Sequence, residues 1–459
     1  MLGKIKLHNF KAFEDLELEL APITLLLGPN NSGKSSIIAP LRLLIQTLES
    51  NDNSVPLLLN GIMGDFGTYK DIVYKNHRGR QIEVKLTIYP GDQILTRKTI
   101  PQEGYSDRTK ESSIEISLNY KYRSKRREII LKRSELTFNG KSLLVTDYSE
   151  DSERQLVSKI EDTTVPSSLK STIARNLRME NFIPRLMRVY GSKDKTATTG
   201  VFLDDVDNAL YIANKVSFSL RKAIQTIEYL GAMRIPPSRT YLFTGERRRR
   251  IGPAGEQAAN ILAMDTARAG TRSKQIINAI SQWLTKADVA SDVKVETISD
   301  RHYEIRVQHP ITHEYQNISD VGYGNSQILP VLIGGYNLQR GATYIIEEPE
   351  IHLHPRAQSE LGEFFLDLYN EGIQSIVETH SEYVVLKLQQ YIANHIIPPN
   401  HVLVYYVYAD EDKKKVVPLR LNDKGNFIDQ WPEGFFPERL NEAKTLSRIR
   451  YEKEFEEGF

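Results

Sequence analysis

Apolar and polar residues alternate over Lys4 to Asn9 and again over Leu16 to Leu20, either side of a turn through Lys11 to Asp15, which predicts two half-buried strands. Ile23 to Leu27 is apolar throughout and predicts a buried strand. It runs into a glycine-rich turn. Beyond the turn, Ile37, Ile38, Leu41, Leu44, Ile45 and Leu48 recur at helical spacing, predicting a helix over Ser35 to Leu48. Short alternating runs at Ile82 to Tyr89, Ile114 to Tyr122 and Glu128 to Leu136, parted by polar turns, predict an antiparallel β insertion. Ser149 to Pro166 is acidic and polar, Gly191 to Gly200 is rich in Ser, Thr and Lys, and neither has a period, so both read as loops. Helical periodicity covers Leu203 to Met233 and Ala254 to Lys286, broken by Pro236–Pro237 and the polar run Arg247 to Arg250. From Ser319 strands and helices alternate again, ending in a hairpin over Val402 to Leu421 and a charged C-terminal helix. The sequence carries neither an internal repeat nor a long heptad array, so no coiled-coil arm is expected.

Composition narrows the class without naming it. The 459 residues carry 60 Lys and Arg against 59 Asp and Glu, a net charge of +1, which gives no global pull toward nucleic acid or membrane. There is no cysteine, so a disulfide framework, a thiolate metal site and a cysteine nucleophile are excluded. Lys4, Lys6 and His8 stand where a signal peptide would need an apolar core, and no apolar run is long enough to span a bilayer, so a cytoplasmic protein with no membrane partner is expected.

Chemistry concentrates in four short segments. Gly28-Pro29-Asn30-Asn31-Ser32-Gly33-Lys34-Ser35, followed by Ser36, fits the phosphate-binding template between a buried strand and a helix. Backbone N–H groups and the helix N-terminus would converge on one anion there, Lys34 would reach the β and γ phosphates of ATP, and Ser35 would ligate Mg²⁺. Far downstream, the apolar run Thr343 to Ile346 ends in Glu347-Glu348-Pro349-Glu350. Glu347 is assigned to the metal and Glu348 to polarising the attacking water. A third apolar run, Gln374 to Glu378, leads into Thr379-His380-Ser381, where a neutral His380 could orient the water or bond the γ phosphate. The small-residue turn Asp320 to Gln327 precedes a helix and offers Gly322, Gly324, Ser326 and Gln327 as a further anion site, with an ordinary N-cap loop as the alternative. Glu350, His352 and His354 alternate, yet lack a clear further ligand set. A structural loop, a dimer contact and a zinc site all remain open for them.

The order of these motifs, opened by Asn9-Phe10-Lys11 and closed by Thr379-His380-Ser381, resembles the ABC-type ATPase heads of the structural-maintenance-of-chromosomes (SMC), RecF and OLD group. The resemblance implies an α/β fold: a P-loop NTPase head with a mixed sheet and helices, interrupted by a β-rich and helical insertion. The expected divisions are 1–75 for the first half of the head, 76–235 for the insertion, 236–315 for a segment rejoining the head, and 316–459 for the second half. It further implies Lys11 beside the nucleotide, and a homodimer or higher oligomer in which two heads sandwich ATP with Gly322 to Gln327 of one facing the phosphate loop of the other. The signature turn departs from the usual Leu-Ser-Gly-Gly-Gln, and Glu347 stands where Asp is usual.

Within the group, Ile345 to Pro355, Tyr229 to Arg234 with Pro237 and Arg239, and the tail Gln430 to Phe436 look like OLD-type stand-alone ATPases, a set that includes the ATPases of the Septu anti-phage system. That resemblance implies an ATP-hydrolysing sensor acting with a separate nuclease, of HNH type if Septu-like. No nuclease domain of its own is expected, because the chain after His380 is short and Asp410-Glu411-Asp412 reads as a hairpin tip. The alternative is a RecF- or SMC-like repair ATPase that binds DNA under ATP control, with Lys121 to Arg133 and Arg247 to Arg250 as candidate nucleic-acid or partner contacts.

Overall fold

The computed structural model describes residues 1–90, 112–160, 163–164, 177–186, 200–246, 250–267, 275–411 and 413–430. The expected C-terminal helix, the tail after Gln430, Arg247 to Arg249 and nearly all of the expected loop Gly191 to Gly200 lie outside them.

Two sheets organise these residues. β1 (Leu2–Phe10) and β2 (Phe13–Glu19) form the predicted hairpin, pairing Ile5 with Leu18 and Leu7 with Leu16. The alternation seen in the sequence becomes burial, with Ile5, Leu7, Leu16 and Leu18 inward and Lys6 and Glu17 outward. The other edge of β1 receives β4 (Ile82–Ile88), and the ladder continues through β5 (Ile114–Arg123), β6 (Glu128–Phe138), β7 (Lys141–Ser149) and β8 (Arg154–Ile160) to an edge strand at Thr163–Thr164. The expected insertion therefore extends the N-terminal hairpin, and the division at 75–76 crosses one sheet. The loop expected over Ser149 to Pro166 contains β8 instead. Of its seven residues only Val157 and Ile160 are fully buried, so its polar composition conceals a strand near the sheet edge.

The second sheet has the order β9 (Ile227–Leu230), β12 (Thr343–Glu347), β13 (Gln374–Glu378), β3 (Ile23–Leu27), β14 (Val402–Asp410), β15 (Lys413–Leu419). The first five are parallel and the last closes an antiparallel hairpin. β9 was hidden in a run expected to be helical through Met233. The helix α2 (Gly200–Gln225) stops short, and a four-residue strand buried on all sides has no period that distinguishes it from helix.

Leu26, Ile345 and Ile376 face a core shared with the antiparallel sheet, α1 (Lys34–Leu48) and α2, while Ile23, Leu25, Leu27, Tyr344 and Ile346 face a second core. That second core is covered by α3 (Ala258–Thr266), α4 (Gln275–Lys286), α5 (Tyr323–Tyr336), α6 (Pro355–Asn370) and α7 (Glu382–Ala393). β10 (Asp292–Ser299) and β11 (His302–Gln308) make a hairpin beside it. The parallel sheet is thus buried on both faces, as its uninterrupted apolar runs require. All of its parallel strands point their C-terminal ends the same way, where a ligand crevice forms in such sheets.

Burial pushes the Glu228 carboxyl in β9 up to about 7, with the Arg250 guanidinium opposing. A carboxyl that holds its proton more tightly when folded adds stability that is complete below its unfolded value near 4.3 and lost as pH rises through about 7. Thermal melts without nucleotide are expected to fall between pH 5 and pH 8. The fall should be smaller for Glu228→Gln, and equal slopes in the two proteins would refute that assignment.

Candidate nucleotide site

The turn between β3 and α1 takes a shape only its glycines allow. Gly28 has φ 141°, and a Cβ there would stand 2.0 Å from the backbone oxygen of Val407 in β14. Gly33, at φ 109°, packs against Ala12 and Phe13 of the β1–β2 turn. Gly28→Ala combines a disfavoured conformation with a backbone clash, at a cost of roughly 1–3 kcal/mol. The variant is expected to melt earlier and to bind nucleotide at least about tenfold more weakly, read by melting and by titration with a fluorescent nucleotide.

Lys34 opens the helix. Its ammonium, only 3% exposed, donates to the carbonyl oxygens of Gly28 at 2.8 Å and Pro29 at 3.0 Å and lies 3.8 Å from a Glu378 oxygen. Burial lowers its pKa, with Glu378 and then Glu348 opposing. The Ser35 hydroxyl is 3.1 and 3.4 Å from the two oxygens of Glu378. Ser32 is 2% exposed and its hydroxyl has no hydrogen-bond partner among the described residues. At the loop tip, Lys414 from β15 donates to the Asn31 carbonyl at 2.8 Å, and Asn31 itself takes φ 63°. Asn30 and Ser36 continue the loop on either side, Ser36 closing the first turn on the Gly33 carbonyl at 3.0 Å.

β12 and β13 bring the acids in. Their register sets Glu347 beside Glu378, and Glu378 in turn beside Leu26 of β3. Glu348 leaves β12 with φ 45°, its N–H bonded to the Glu378 carbonyl at 2.7 Å. Its carboxylate is 3.9 Å from Nε2 of His380. Burial and then the Lys34 charge lower the His380 pKa, so the imidazole is neutral at pH 7. Its backbone N–H is fixed by Glu350 at 2.5 Å. Burial, and then Glu347, push the Glu378 carboxyl up to about 7 while Lys34 opposes. This crowding of carboxylates suits a bound divalent cation. Ser35 and Glu378, which already meet, would hold Mg²⁺, which supplies charge neutralisation of the phosphates.

A cationic wall faces the acids. Arg42 of α1 lies 3.7 Å from Glu347 and is held over the rings of Tyr229, at 4.3 Å, and Phe66, at 5.1 Å. Lys11, at φ 46°, sits over the other part of this wall, 5.0 Å from the Phe66 ring, and burial lowers its pKa. A Cβ on Gly33 would stand 3.4 Å from Ala12 and Phe13, so the turn carrying Lys11 lies beside the phosphate loop. Arg234 is 6% exposed and donates to the carbonyls of Glu347 at 2.9 Å and Glu348 at 3.2 Å. Arg234→Ala removes both donors from the acidic turn, and the expected result is a roughly tenfold lower turnover with nucleotide affinity kept within about threefold. A proportionate loss of affinity would show a general collapse of the site instead.

Arg42, Arg234 and Glu378 were not assigned roles by the sequence. Only Glu378 left a usable signal there, as the terminal acid of a strand leading directly into a site histidine.

The turn expected to serve a facing subunit begins α5. Gly322 is its N-cap, and a Cβ on Gly324 would be 2.5 Å from the His352 carbonyl, so the turn packs on the loop after the acids. Ser326 and Gln327 are 6% and 3% exposed, which leaves the turn's backbone and glycines rather than these two side chains for an outside ligand. Asp320 pairs with Arg239 at 3.0 Å. Of the three alternating residues considered for zinc, Glu350 bonds the His380 N–H, and His354 caps α6 by accepting from Ala357 at 3.3 Å. Among the described residues no group of three or more His, Asp or Glu could hold a metal ion in that way. Arg250 bonds the Gln225 and Ile227 carbonyls and pairs with Glu49, so it braces β9 rather than offering itself to a partner. In Lys121 to Arg133, Arg123 pairs with Glu128, Arg126 with Glu153 and Arg133 with Asp147. Asp410 and Lys413 pair across the β14–β15 hairpin end, as expected of a tip.

A glycine-cradled loop on a helix N-terminus, an acidic strand end and a strand-end histidine, all at one edge of a parallel sheet, define a P-loop nucleoside-triphosphatase head. The chain belongs to the family described as AAA ATPase domain, which matches residues 1–228 and 252–385. Residues 397–446 match a family described as a protein of unknown function (DUF3696). An uncharacterized protein, MJECL10, of Methanocaldococcus jannaschii is 31% identical over 122 residues, 24% of this chain and 55% of that protein. An OLD nuclease of Thermus scotoductus is 38% identical over 45 residues, 10% of this chain and 8% of that protein. The chain thus spans about half of the first relative and a small part of the second. Among solved structures, an SMC head bound to the C-winged helix domain of ScpA aligns with a TM-score of 0.45 at 11% identity, covering 92% of this chain and 98% of that one. An SMC head domain from Thermotoga maritima aligns with a TM-score of 0.40 at 13% identity, covering 92% and 99%. No helix among the described residues is long and apolar enough to cross a membrane.

Proposed function

We propose that this ATPase is the ATP-hydrolysing sensor of a bacterial anti-phage defence system, cytoplasmic and acting through a separate nuclease, of HNH type if the system is Septu. ATP binds in the Gly28 to Ser36 loop with Mg²⁺, Lys34 meets the β and γ phosphates, and Glu348 polarises the attacking water with neutral His380 beside it. The observation that carries the catalytic part is the placement of Lys34 and Ser35 after β3, Glu348 after β12 and His380 after β13, at the C-terminal ends of three adjacent parallel strands. Two heads sandwich ATP, the Gly322 and Gly324 backbone of one subunit facing the phosphate loop of its partner.

The defence role rests on the likeness of the Ile345 to Pro355 string to OLD-type ATPases, with the short match to an OLD nuclease alongside. Phosphate release from ATP by the purified chain, and co-purification of a nuclease on co-expression with the neighbouring genes, test the two parts separately. A repair ATPase of RecF type would instead show ATP-stimulated DNA binding that weakens steeply with salt. That result without a nuclease partner would replace the defence reading.

A further inference from the structure

Glu347 ends the strand that sequence reasoning assigned to the metal, yet it is not the carboxylate that meets the phosphate loop. β13 lies directly beside β3, whereas β12 is one strand further away, about 4.8 Å in the hydrogen-bonding direction. The acid ending β13 is consequently the one delivered to the loop. Both oxygens of Glu378 lie within 3.4 Å of the Ser35 hydroxyl, and one is 3.8 Å from the Lys34 ammonium. Glu347, its register partner one strand further from the loop, lies 3.7 Å from an Arg42 guanidinium that two aromatic rings hold in place.

We propose that Glu378 is a divalent-cation-binding residue of the nucleotide site, sharing with Ser35 the role expected of Glu347. This deepens the ATPase reading and rests on it. Glu378 is 6% exposed, so its charge is little screened by water and must act on whatever enters the loop. Toward bare phosphates it is a like charge within reach of the same lysine, and it weakens binding. Toward phosphates carrying a divalent cation it is a ligand, either direct or through one water, and it strengthens binding. The sign of its effect therefore depends on the cation, which neither a purely structural tie between two strands nor a simple anchor for Lys34 would produce. Glu347, with Arg42 beside it, would set the acidic strand end rather than hold the cation.

The test is ATP affinity measured by calorimetry in EDTA and in excess Mg²⁺, together with Mn²⁺ binding followed by electron paramagnetic resonance in the presence of ADP. Glu378→Gln keeps the size and the hydrogen bond to Ser35 while removing the charge. Expected are a wild-type affinity at least tenfold tighter with Mg²⁺, a ratio near one for Glu378→Gln with equal or tighter binding in EDTA, and a largely lost bound-Mn²⁺ signal. Glu347→Gln is expected to keep most of both. If Glu378→Gln retains the wild-type ratio and Mn²⁺ signal, the proposal is wrong, and a loss of both in Glu347→Gln would return the role to that residue. If the wild type binds no ATP in either condition, the nucleotide-site reading itself fails. Glu378→Asp, which retains the charge but is one methylene shorter, guards against misfolding of the Gln variant. It is expected to give a ratio between the other two, and a wild-type ratio there together with one in Glu378→Gln still supports the proposal.

Discussion

Lys34→Ala is expected to abolish ATP binding, lowering affinity by at least about a hundredfold, some 2.7 kcal/mol. The ammonium is buried at the helix start and already held by two carbonyls and by Glu378, so it is oriented before any phosphate arrives. Removing it takes away the one positive side chain inside the loop and leaves Glu378 buried without its nearest cation, a change that both weakens the ligand and strains the apo protein. Calorimetry with ATP measures the first effect and thermal melting the second. Binding within about threefold of wild type would mean that the loop does not cradle the phosphates in this way.

Glu348→Gln is expected to do the opposite to binding. The amide keeps the volume and the backbone conformation at φ 45° while losing the ability to accept a proton from water. ATP affinity should stay within about threefold while turnover falls by roughly a hundredfold or more, the usual scale of a lost general base. If head pairing follows ATP occupancy, the variant accumulates as an ATP-bound dimer on size-exclusion chromatography, whereas wild type passes through it transiently. Turnover close to wild type would move the proton acceptor elsewhere, and His380, whose ring is 3.9 Å away, is then the first candidate.

Much of this site was legible because its parts are local. A glycine turn between an apolar strand and an amphipathic helix needs only adjacent residues to be recognised, and the structure places Gly28 to Ser36 there. Glu347, Glu348 and His380 were findable as polar ends of apolar runs. What stayed hidden depends on which strands become neighbours. Glu378 is an ordinary strand-end acid until β13 is known to lie between β12 and β3. Arg42 reads as the polar face of a helix until Tyr229 and Phe66 close around it. The same limit concealed β9, a fully buried strand without alternation, and β8, whose polar residues belong to a strand near the sheet edge. The insertion is the opposite case. Its strands were plain in the sequence, but their joining to β1 through Ile5 and Leu86 is a long-range pairing that no local pattern encodes.

The central place of β3 also governs how the polypeptide is made. Five apolar residues, Ile23 to Leu27, leave the ribosome long before both strands that flank them, Gln374–Glu378 and Val402–Asp410. Until those strands are made this segment has two open edges, the condition under which nascent chains aggregate or recruit holding chaperones. Nucleotide competence therefore arrives in one late step, and a ribosome stalled before β13 releases a product with the phosphate loop in its sequence and no pocket to put it in.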